Sequence, residues 1–291
     1  MINWPNFVSQ LFNGLASGVL LALVASGLTI IYGTLGVLNL AHGAMFVLGG
    51  YAGYVALQLT GSFLVAVLAG AIFLVVVGAL LELVVIRHFY HRPPEDQLLV
   101  TFGMAIVIVE LIRLVFGSLS LSIRPPSWAS GVTQLGFMIY PTYRIAVLVI
   151  ASIALAVLYA VLYKTRLGMI VRAGIEDAPM VGMLGINVYK VFMVVFGIGA
   201  MAAGFAGIVN APVVSLTPDV GDAILVQTFV VVVIGGVGSF PGAILGGLIA
   251  GEILSLTSMV DPSYSEVMLF AVMTLVLLVR PQGLLGERSR A

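Results

Sequence analysis

The sequence contains no cysteine, and only 8% of its 291 residues are charged. Disulfides and thiolate metal sites are therefore excluded, while the redox compartment stays undetermined. The 12 Lys and Arg residues balance the 12 Asp and Glu residues, so no basic surface suggests a nucleic-acid partner. Residues 1–10 carry no basic side chain, which argues against a cleavable signal peptide. We expect the first apolar segment to be retained.

Charge is scarcest in the N-terminal part, where residues 1–81 contain no Lys, Arg, Asp or Glu. Hydrophobic residues make up 61% of the chain and its mean hydropathy is +1.21, whereas about a quarter of the residues of a soluble domain are charged. A soluble fold of this length has too little interior to bury such a chain. Lipid must be the solvent for most of it, and we predict one transmembrane domain over residues 1–291.

Apolar segments of near-spanning length follow one another along the chain. A transmembrane helix needs about 20 residues, and six segments approach that length: 7–31, 63–86, 98–116, 144–163, 191–212 and 265–280. Two more, 34–57 and 223–256, are apolar but interrupted by Gly, Asn, His or Pro. The predicted fold is an all-α polytopic helix bundle of about 8 spans, with a range of 7 to 10. It should contain broken or re-entrant helices.

Basic residues accumulate in two of the breaks, and they predict the orientation. The segment 164–190 and the C-terminal tail together carry Lys164, Arg166, Arg172, Lys190, Arg280, Arg288 and Arg290. Because Lys and Arg accumulate in cytoplasmic loops, both regions should be cytoplasmic, together with 87–97. The outside should hold 117–143, 213–222 and 257–264.

This orientation constrains the two interrupted regions. Region 223–256 must return to the side it left, either as two short helices or as a re-entrant hairpin broken between Gly235 and Gly242. The side of the N-terminus depends on whether region 34–57 crosses the bilayer or re-enters.

Glycine is abundant, with 34 residues, and several glycines recur at intervals of four. Examples are Gly14 and Gly18, Gly199 with Ala203 and Gly207, Gly242 and Gly246, and Gly247 and Gly251. Small residues at this spacing let helix backbones approach closely in a membrane. We predict that they pack helices together and do not bind substrate.

The segment from Gly235 to Gly242 differs, because it releases the backbone from helix in an apolar region. Such backbone is tolerated only inside protein or along a polar cavity. Pro241 could open a helix whose free NH groups and positive dipole end suit a carboxylate. The alternative is a tight interhelical turn without a ligand. A nucleotide-binding loop is excluded by sequence, since no Lys follows these glycines.

A second polar interruption contains Asn39, His42 and Gly43. On a helix, Asn39 and His42 would share one face, and polar side chains in hydrocarbon turn toward a bundle interior or a pathway. His42 either contacts substrate or forms a hydrogen bond between helices. No nucleophile motif accompanies it, and one His makes no metal site.

Charged residues also fall well inside apolar segments, at Glu110, Arg113 and Glu252. Glu110 and Arg113 are three residues apart and can form a structural ion pair. Glu252 has no partner nearby in sequence, and an unpaired intramembrane carboxylate keeps a proton-coupled secondary transporter as an alternative.

The longest polar stretch, 164–190, carries apolar residues at a spacing that suits a short amphipathic helix. Asp177 would be its N-cap and Gly185 its end. The predicted face is not strongly basic, so docking into a partner's groove suits it better than lying on lipid.

Taken in order along the chain, these segments resemble the LivH branch of the branched-chain amino acid permeases. The resemblance rests on Tyr32 to Gly43, on Arg172-Ala173, Glu176-Asp177 and Gly185-Ile186-Asn187, on Gly235 to Gly247, and on Arg280-Pro281 with Gly283. The sequence departs from the family at Ala44, where many relatives carry Glu, and at Tyr189, where an acidic residue is common.

The resemblance implies two groups of functional residues. The expected translocation pathway contains Asn39, His42, Gly43, Gly235, Gly236, Gly238, Ser239, Pro241 and Gly242. The loop expected to couple to an ATPase contains Arg172, Glu176, Asp177, Ala178, Gly182, Gly185, Ile186 and Asn187. No metal or cofactor is expected on this chain.

The function implied is that of a permease subunit of an ABC importer for branched-chain amino acids in the bacterial inner membrane. Its expected partners are a second homologous permease, two ATPases that use ATP and an extracytoplasmic binding protein. The chain itself would not be an enzyme. Uptake of urea, short amides or another amino acid class is the alternative within the same architecture.

Overall fold

The structure, a computed structural model, describes residues 4–136 and 138–286, without the side chains of Ile175 and Ala178. Arg288 and Arg290 of the predicted cytoplasmic tail lie outside the described residues. Ten α-helices form most of the described chain: α1 (Trp4–Leu35), α2 (His42–Thr60), α3 (Phe63–Val84), α4 (Pro94–Phe116), α5 (Thr142–Lys164), α6 (Arg166–Met183), α7 (Val188–Asn210), α8 (Val220–Gly235), α9 (Phe240–Ser258) and α10 (Ser265–Val279). Seven described helical segments are long and apolar enough to cross a membrane, and the all-α bundle is confirmed.

The helix termini gather at two opposite ends of the bundle. One end, here the hairpin end, carries an antiparallel pair of short strands that was not predicted, β1 (Val132–Leu135) and β2 (Met138–Pro141). There Leu121 and Leu216 exchange backbone hydrogen bonds of 2.9 Å. The other end, here the basic end, carries residues 85–93, α6 and residues 280–286.

Helix α1 runs through the centre of the bundle. It contacts α5, α6, α7, α8 and α9, and 89% of its most apolar window is buried. Gly18 of α1 lies against the Gly247 carbonyl and Leu248 of α9, and Gly251 lies against the Gly14 carbonyl. The close packing predicted for these glycines is confirmed, and α1 and α9 run antiparallel.

Region 34–57 crosses the bundle, and its helical structure is interrupted at residues 36–41. Gly36 ends α1 at a φ of 68°, a left-handed conformation that favours glycine. The following non-helical residues are held by Thr101 of α4, whose hydroxyl oxygen accepts from the Leu40 amide at 3.2 Å. Helix α2 then begins beside the middle of α1 and runs to the hairpin end.

Region 223–256 consists of the two helices α8 and α9, one of the two predicted alternatives. At the hairpin end, Asp219 before α8 pairs with Arg113 of α4. At the basic end, the Leu285 amide donates to the Gly235 carbonyl at 2.9 Å. Helix α8 therefore ends at the basic end, and it begins beside the start of α2, where Gly221 packs against Gly43. Arg113 also pairs with Glu110, which confirms the predicted ion pair.

Candidate functional site

A cavity of about 520 Å³ lies between α1, α5, α7, α8 and α9 near the hairpin end. Its apolar lining consists of Ala16, Leu20, Leu21, Val24, Val147, Val213, Val214, Val220, Ala223, Ile224 and Leu254. Its polar lining consists of Gln10, Asn13, Ser17, Arg144, Asn210, Gln227, Ser255 and Ser258. Cavities of about 300–1,000 Å³ with mainly apolar walls and a few polar groups are typical of small-molecule sites. We name it the hairpin-end cavity.

A chain of hydrogen bonds joins three helices along one wall of the hairpin-end cavity. Asn13 Oδ1 accepts from the Tyr140 hydroxyl at 2.8 Å and from the Arg144 guanidinium. The Asn13 amide nitrogen donates to Gln10 Oε1 at 2.9 Å, and the Ser255 hydroxyl donates to the Gln10 backbone carbonyl at 2.6 Å. The wall is therefore tied together across α1, α5 and α9.

Arg144 is the one charged residue that lines this cavity among the described residues. It is half-buried in the first turn of α5, where the positive end of the helix dipole disfavours a cation. Burial raises the pKa of Tyr140 above its ordinary value, and the neighbouring Arg144 opposes this rise. The cavity thus combines one fixed positive charge with neutral hydrogen-bonding groups and an aliphatic interior.

The first group of predicted pathway residues lies behind the wall of the hairpin-end cavity. His42 is fully buried, and its Nε2 lies 3.0 Å from the carbonyl oxygen of Val24. Gly43 packs against the Gly221 carbonyl of α8. The prediction that Asn39 shares a helix face with His42 is wrong, because Asn39 precedes α2 and its Oδ1 accepts from the Ala41 amide at 3.0 Å. That local hydrogen bond competes with helix formation.

The second group, from Gly235 to Gly242, lies at the basic end and does not meet the first. Gly236 contacts Gly286 of the C-terminal segment, and Gly235 packs against the Gly242 carbonyl. Pro241 lies in the first turn of α9, as predicted. The Ser239 hydroxyl accepts from the Gly242 amide at 3.1 Å, so the chain itself caps this helix start. Gly238 borders a separate cavity of about 220 Å³, together with Arg172 and Glu176 of α6.

The predicted coupling residues lie on and after α6, which is longer than expected because it begins at Arg166. Asp177 interrupts its helical geometry, and the Asp177 carboxylate accepts from the Met180 amide at 2.9 Å. This confirms Asp177 as an N-cap. Gly185 has a φ of 81° just after the helix, as expected of a helix end. Asn187 caps the next helix by accepting from the Lys190 amide at 3.1 Å.

The remaining coupling residues are placed as follows. The Arg172 guanidinium donates to the Leu162 carbonyl and lies over the Tyr163 ring. Gly182 is exposed and Ile186 is half-buried, whereas Ala178 has no described side chain. The α6 surface leaves Met180, Met183 and Leu184 with exposed fractions of 52%, 77% and 74%. This apolar exposure at the basic end suits a protein partner.

A buried ion pair anchors the neighbouring helix α7 near its start. Glu82 of α3 is fully buried and accepts from Arg87 at 3.1 Å and from the Tyr90 hydroxyl at 2.5 Å. Tyr90 stacks on Tyr189, with 6.4 Å between ring centroids. Burial and the Glu82 hydrogen bond raise the pKa of Tyr90. Tyr189 therefore joins α7 to the α3–α4 connection.

The sequence analysis did not identify Arg144 as a candidate site residue. Arg144 is a charged residue in a charge-poor chain, and it lies at the start of a helix. These two features could have identified it as a candidate.

Comparison with known proteins places the chain among transport permeases. The sequence model of the family described as branched-chain amino acid transport system / permease component matches residues 10–277. The chain is 33% identical to the high-affinity branched-chain amino acid transport system permease protein LivH of Escherichia coli K12, over 97% of this chain and 96% of that protein. It is 30% identical to the corresponding protein BraD of Pseudomonas aeruginosa, with the same coverage.

A probable branched-chain amino acid transport permease protein LivH from Methanocaldococcus jannaschii is 29% identical, over 92% of this chain and 89% of that protein. No solved structure matches the chain. Because seven of its described helical segments are long and apolar enough to cross a membrane, it is a multi-pass protein of the bacterial inner membrane. The match over most of its length shows that the chain belongs to the family of branched-chain amino acid transport permease components.

Proposed function

We propose that this chain is the membrane-spanning subunit of an ABC importer that translocates branched-chain amino acids, driven by partner ATPases. The hairpin-end cavity carries the proposal, because its aliphatic interior suits a branched side chain and its polar rim suits the charged ends of an amino acid. Family membership supports the same conclusion.

The orientation proposed places the basic end in the cytoplasm. Lys164, Arg166, Arg172 and Lys190 lie around α6 at that end, and basic loops stay inside. The hairpin-end cavity then faces the outside, where a soluble binding protein would deliver substrate. Leu20, Leu21 and Val24 of α1 line its apolar interior.

Energy would reach the cavity through α6. Its exposed Met180, Met183 and Leu184 form the kind of helix face that docks into a groove of a partner protein. ATP binding would move the ATPases and with them α6, and a pair of permease chains would open to one side at a time. The sequence contains only Lys164 and Lys190 as lysines, and neither follows a glycine-rich loop, so ATP chemistry is assigned to the partners. No cofactor is assigned to this chain.

The test is leucine uptake into proteoliposomes that contain this chain, a second permease and the ATPases, with ATP inside and the binding protein outside. ATP-dependent accumulation is expected. It should be lost when Glu176 and Asp177 are both changed to Ala with assembly intact. The matched control changes Glu95 and Asp96, an acidic pair in the first turn of α4 at the same end, and should keep uptake.

Two other outcomes would change the assignment. Uptake of urea or a short amide in place of leucine would keep the architecture and replace the substrate. Uptake driven by a proton gradient without ATPases would replace the mechanism.

A further inference from the structure

We propose that Arg144 binds the substrate's carboxylate in the hairpin-end cavity, and that this chain therefore takes α-amino acids in preference to neutral amides. The inference rests on the proposed transport function and adds a subsite to it. Arg144 lies on the cavity lining together with neutral polar groups, and no acidic residue lines the cavity within residues 4–136 and 138–286. A cavity with one positive charge favours a ligand that carries a negative one.

The position of Arg144 is unfavourable for local structure. It stands in the first turn of α5, where a helix dipole repels a cation, and at the end of the bundle that has few basic residues. Residues that break local rules are expected at functional sites. A role in ligand binding accounts for the charge, whereas helix stability does not.

The present partner of Arg144 is replaceable. Its guanidinium donates to Asn13 Oδ1, an oxygen that also accepts from the Tyr140 hydroxyl at 2.8 Å. A carboxylate is a stronger acceptor for arginine than an amide oxygen and can accept two parallel hydrogen bonds. Binding of a carboxylate would thus replace Asn13 on Arg144 and leave Asn13 with Tyr140.

The rest of the cavity suits the remainder of an amino acid. The amide oxygens of Asn210 and Gln227 can accept from an ammonium group, and both residues line the cavity. Val147, one turn beyond Arg144 on α5, and Ile224 of α8 supply aliphatic walls. Urea and short amides would leave the guanidinium without an anionic partner.

The first test compares R144Q and R144K with R124Q in the reconstituted complex at saturating binding protein. Arg124 is an exposed arginine at the same end that does not line this cavity. We expect R144Q to lower the maximal rate of leucine uptake by roughly 10- to 100-fold, R144K to lower it less, and R124Q to leave it unchanged. Basal ATP hydrolysis should persist in all three. Wild-type uptake rates in R144Q would overturn the inference.

The second test measures the cavity directly and does not depend on transport. Because the chain contains no cysteine, S17C places a single thiol on the cavity wall. An anionic methanethiosulfonate reagent should label it faster than a cationic one, by about threefold or more. Adding R144Q should abolish this preference, and adding R124Q should keep it.

Leucine without binding protein should slow the labelling of S17C, whereas leucinol, which lacks the carboxylate, should not. When R144Q is added to S17C, the leucine concentration needed to slow the labelling should rise roughly 10-fold or more. Equal protection by leucine and leucinol, or an unchanged reagent preference in R144Q, would refute the carboxylate subsite. If S17C shows these labelling effects but the reconstituted wild-type complex shows no ATP-driven uptake, the proposed transport function fails while the subsite stands.

Discussion

The Nε2 atom of His42 lies 3.0 Å from the carbonyl oxygen of Val24, about two-thirds of the way along α1. Since a carbonyl only accepts, Nε2 carries the proton in this contact. The Val24 residue also lines the hairpin-end cavity. His42 therefore fixes the start of α2 to the back of the cavity wall, one helix away from any substrate.

Replacing His42 should separate this structural role from a role in the pathway. In H42Q an amide nitrogen can still donate to the Val24 carbonyl, so thermal stability in detergent and leucine uptake should stay near wild type. H42L loses the hydrogen bond and should be less stable by about 1 kcal/mol. A stable H42Q protein that transports nothing would instead show that His42 contacts substrate.

Enlarging Gly251 should separate α1 from α9. An added Cβ would lie 2.3 Å from the Gly14 carbonyl oxygen, and overpacking costs about 1–3 kcal/mol. G251A should therefore lower the midpoint of thermal unfolding in detergent. The matched control is G103A in α4, where an added Cβ meets nothing within 4 Å. It should leave stability unchanged or raise it, and equal losses in both variants would contradict the packing argument.

Substitutions of Asp177 should distinguish its role as a helix N-cap from a role of its negative charge. D177N keeps a side-chain oxygen for the Met180 amide, whereas D177A removes a cap that is worth about 1 kcal/mol. Hydrogen exchange of the Met180 amide should be faster in D177A and nearly unchanged in D177N. Leucine uptake should correspondingly fall in D177A and stay nearly unchanged in D177N. If D177N loses uptake while its exchange stays slow, the carboxylate charge meets a partner subunit.

Neutralising Glu252 should leave ATP-driven uptake intact. Glu252 lies at the α1–α9 contact beside Gly14, and it does not line the hairpin-end cavity as the described residues define it. E252Q keeps the size of the side chain, so leucine uptake should match wild type in proteoliposomes. Loss of uptake in a well-folded E252Q, with a dependence on the proton gradient, would support the proton-coupled alternative.

The helices were predictable because lipid imposes a simple rule on sequence. Apolar length predicted six of the seven described helical segments that are long enough to span a membrane, and four-residue glycine spacing predicted close helix packing at Gly18 and Gly247. Capping chemistry predicted Asp177, because an N-cap depends only on residues within one turn. Each of these features depends only on residues that are close together in the sequence.

The cavity was not predictable, because its lining comes from five helices that are far apart in sequence. Asn13 and Arg144 meet only after α1, α5 and α9 have packed. The same limit explains Asn39, where the sequence favours a helical face but Asn39 lies before α2 and accepts a local hydrogen bond from the Ala41 amide. A polar residue in an apolar segment indicates burial but not the helix it will contact.

The central position of α1 sets a condition on biosynthesis. Helix α1 is made before α9, yet its most extensive contact is with α9, which begins about 200 residues later. At about 5–20 residues per second, α1 waits roughly 10 to 40 s in the membrane before that partner is complete. Its 32 residues contain no charged side chain, so lipid can hold it unassembled during that interval. The charge-free N-terminal part of the chain is thus a requirement of the order of assembly as well as of the finished bundle.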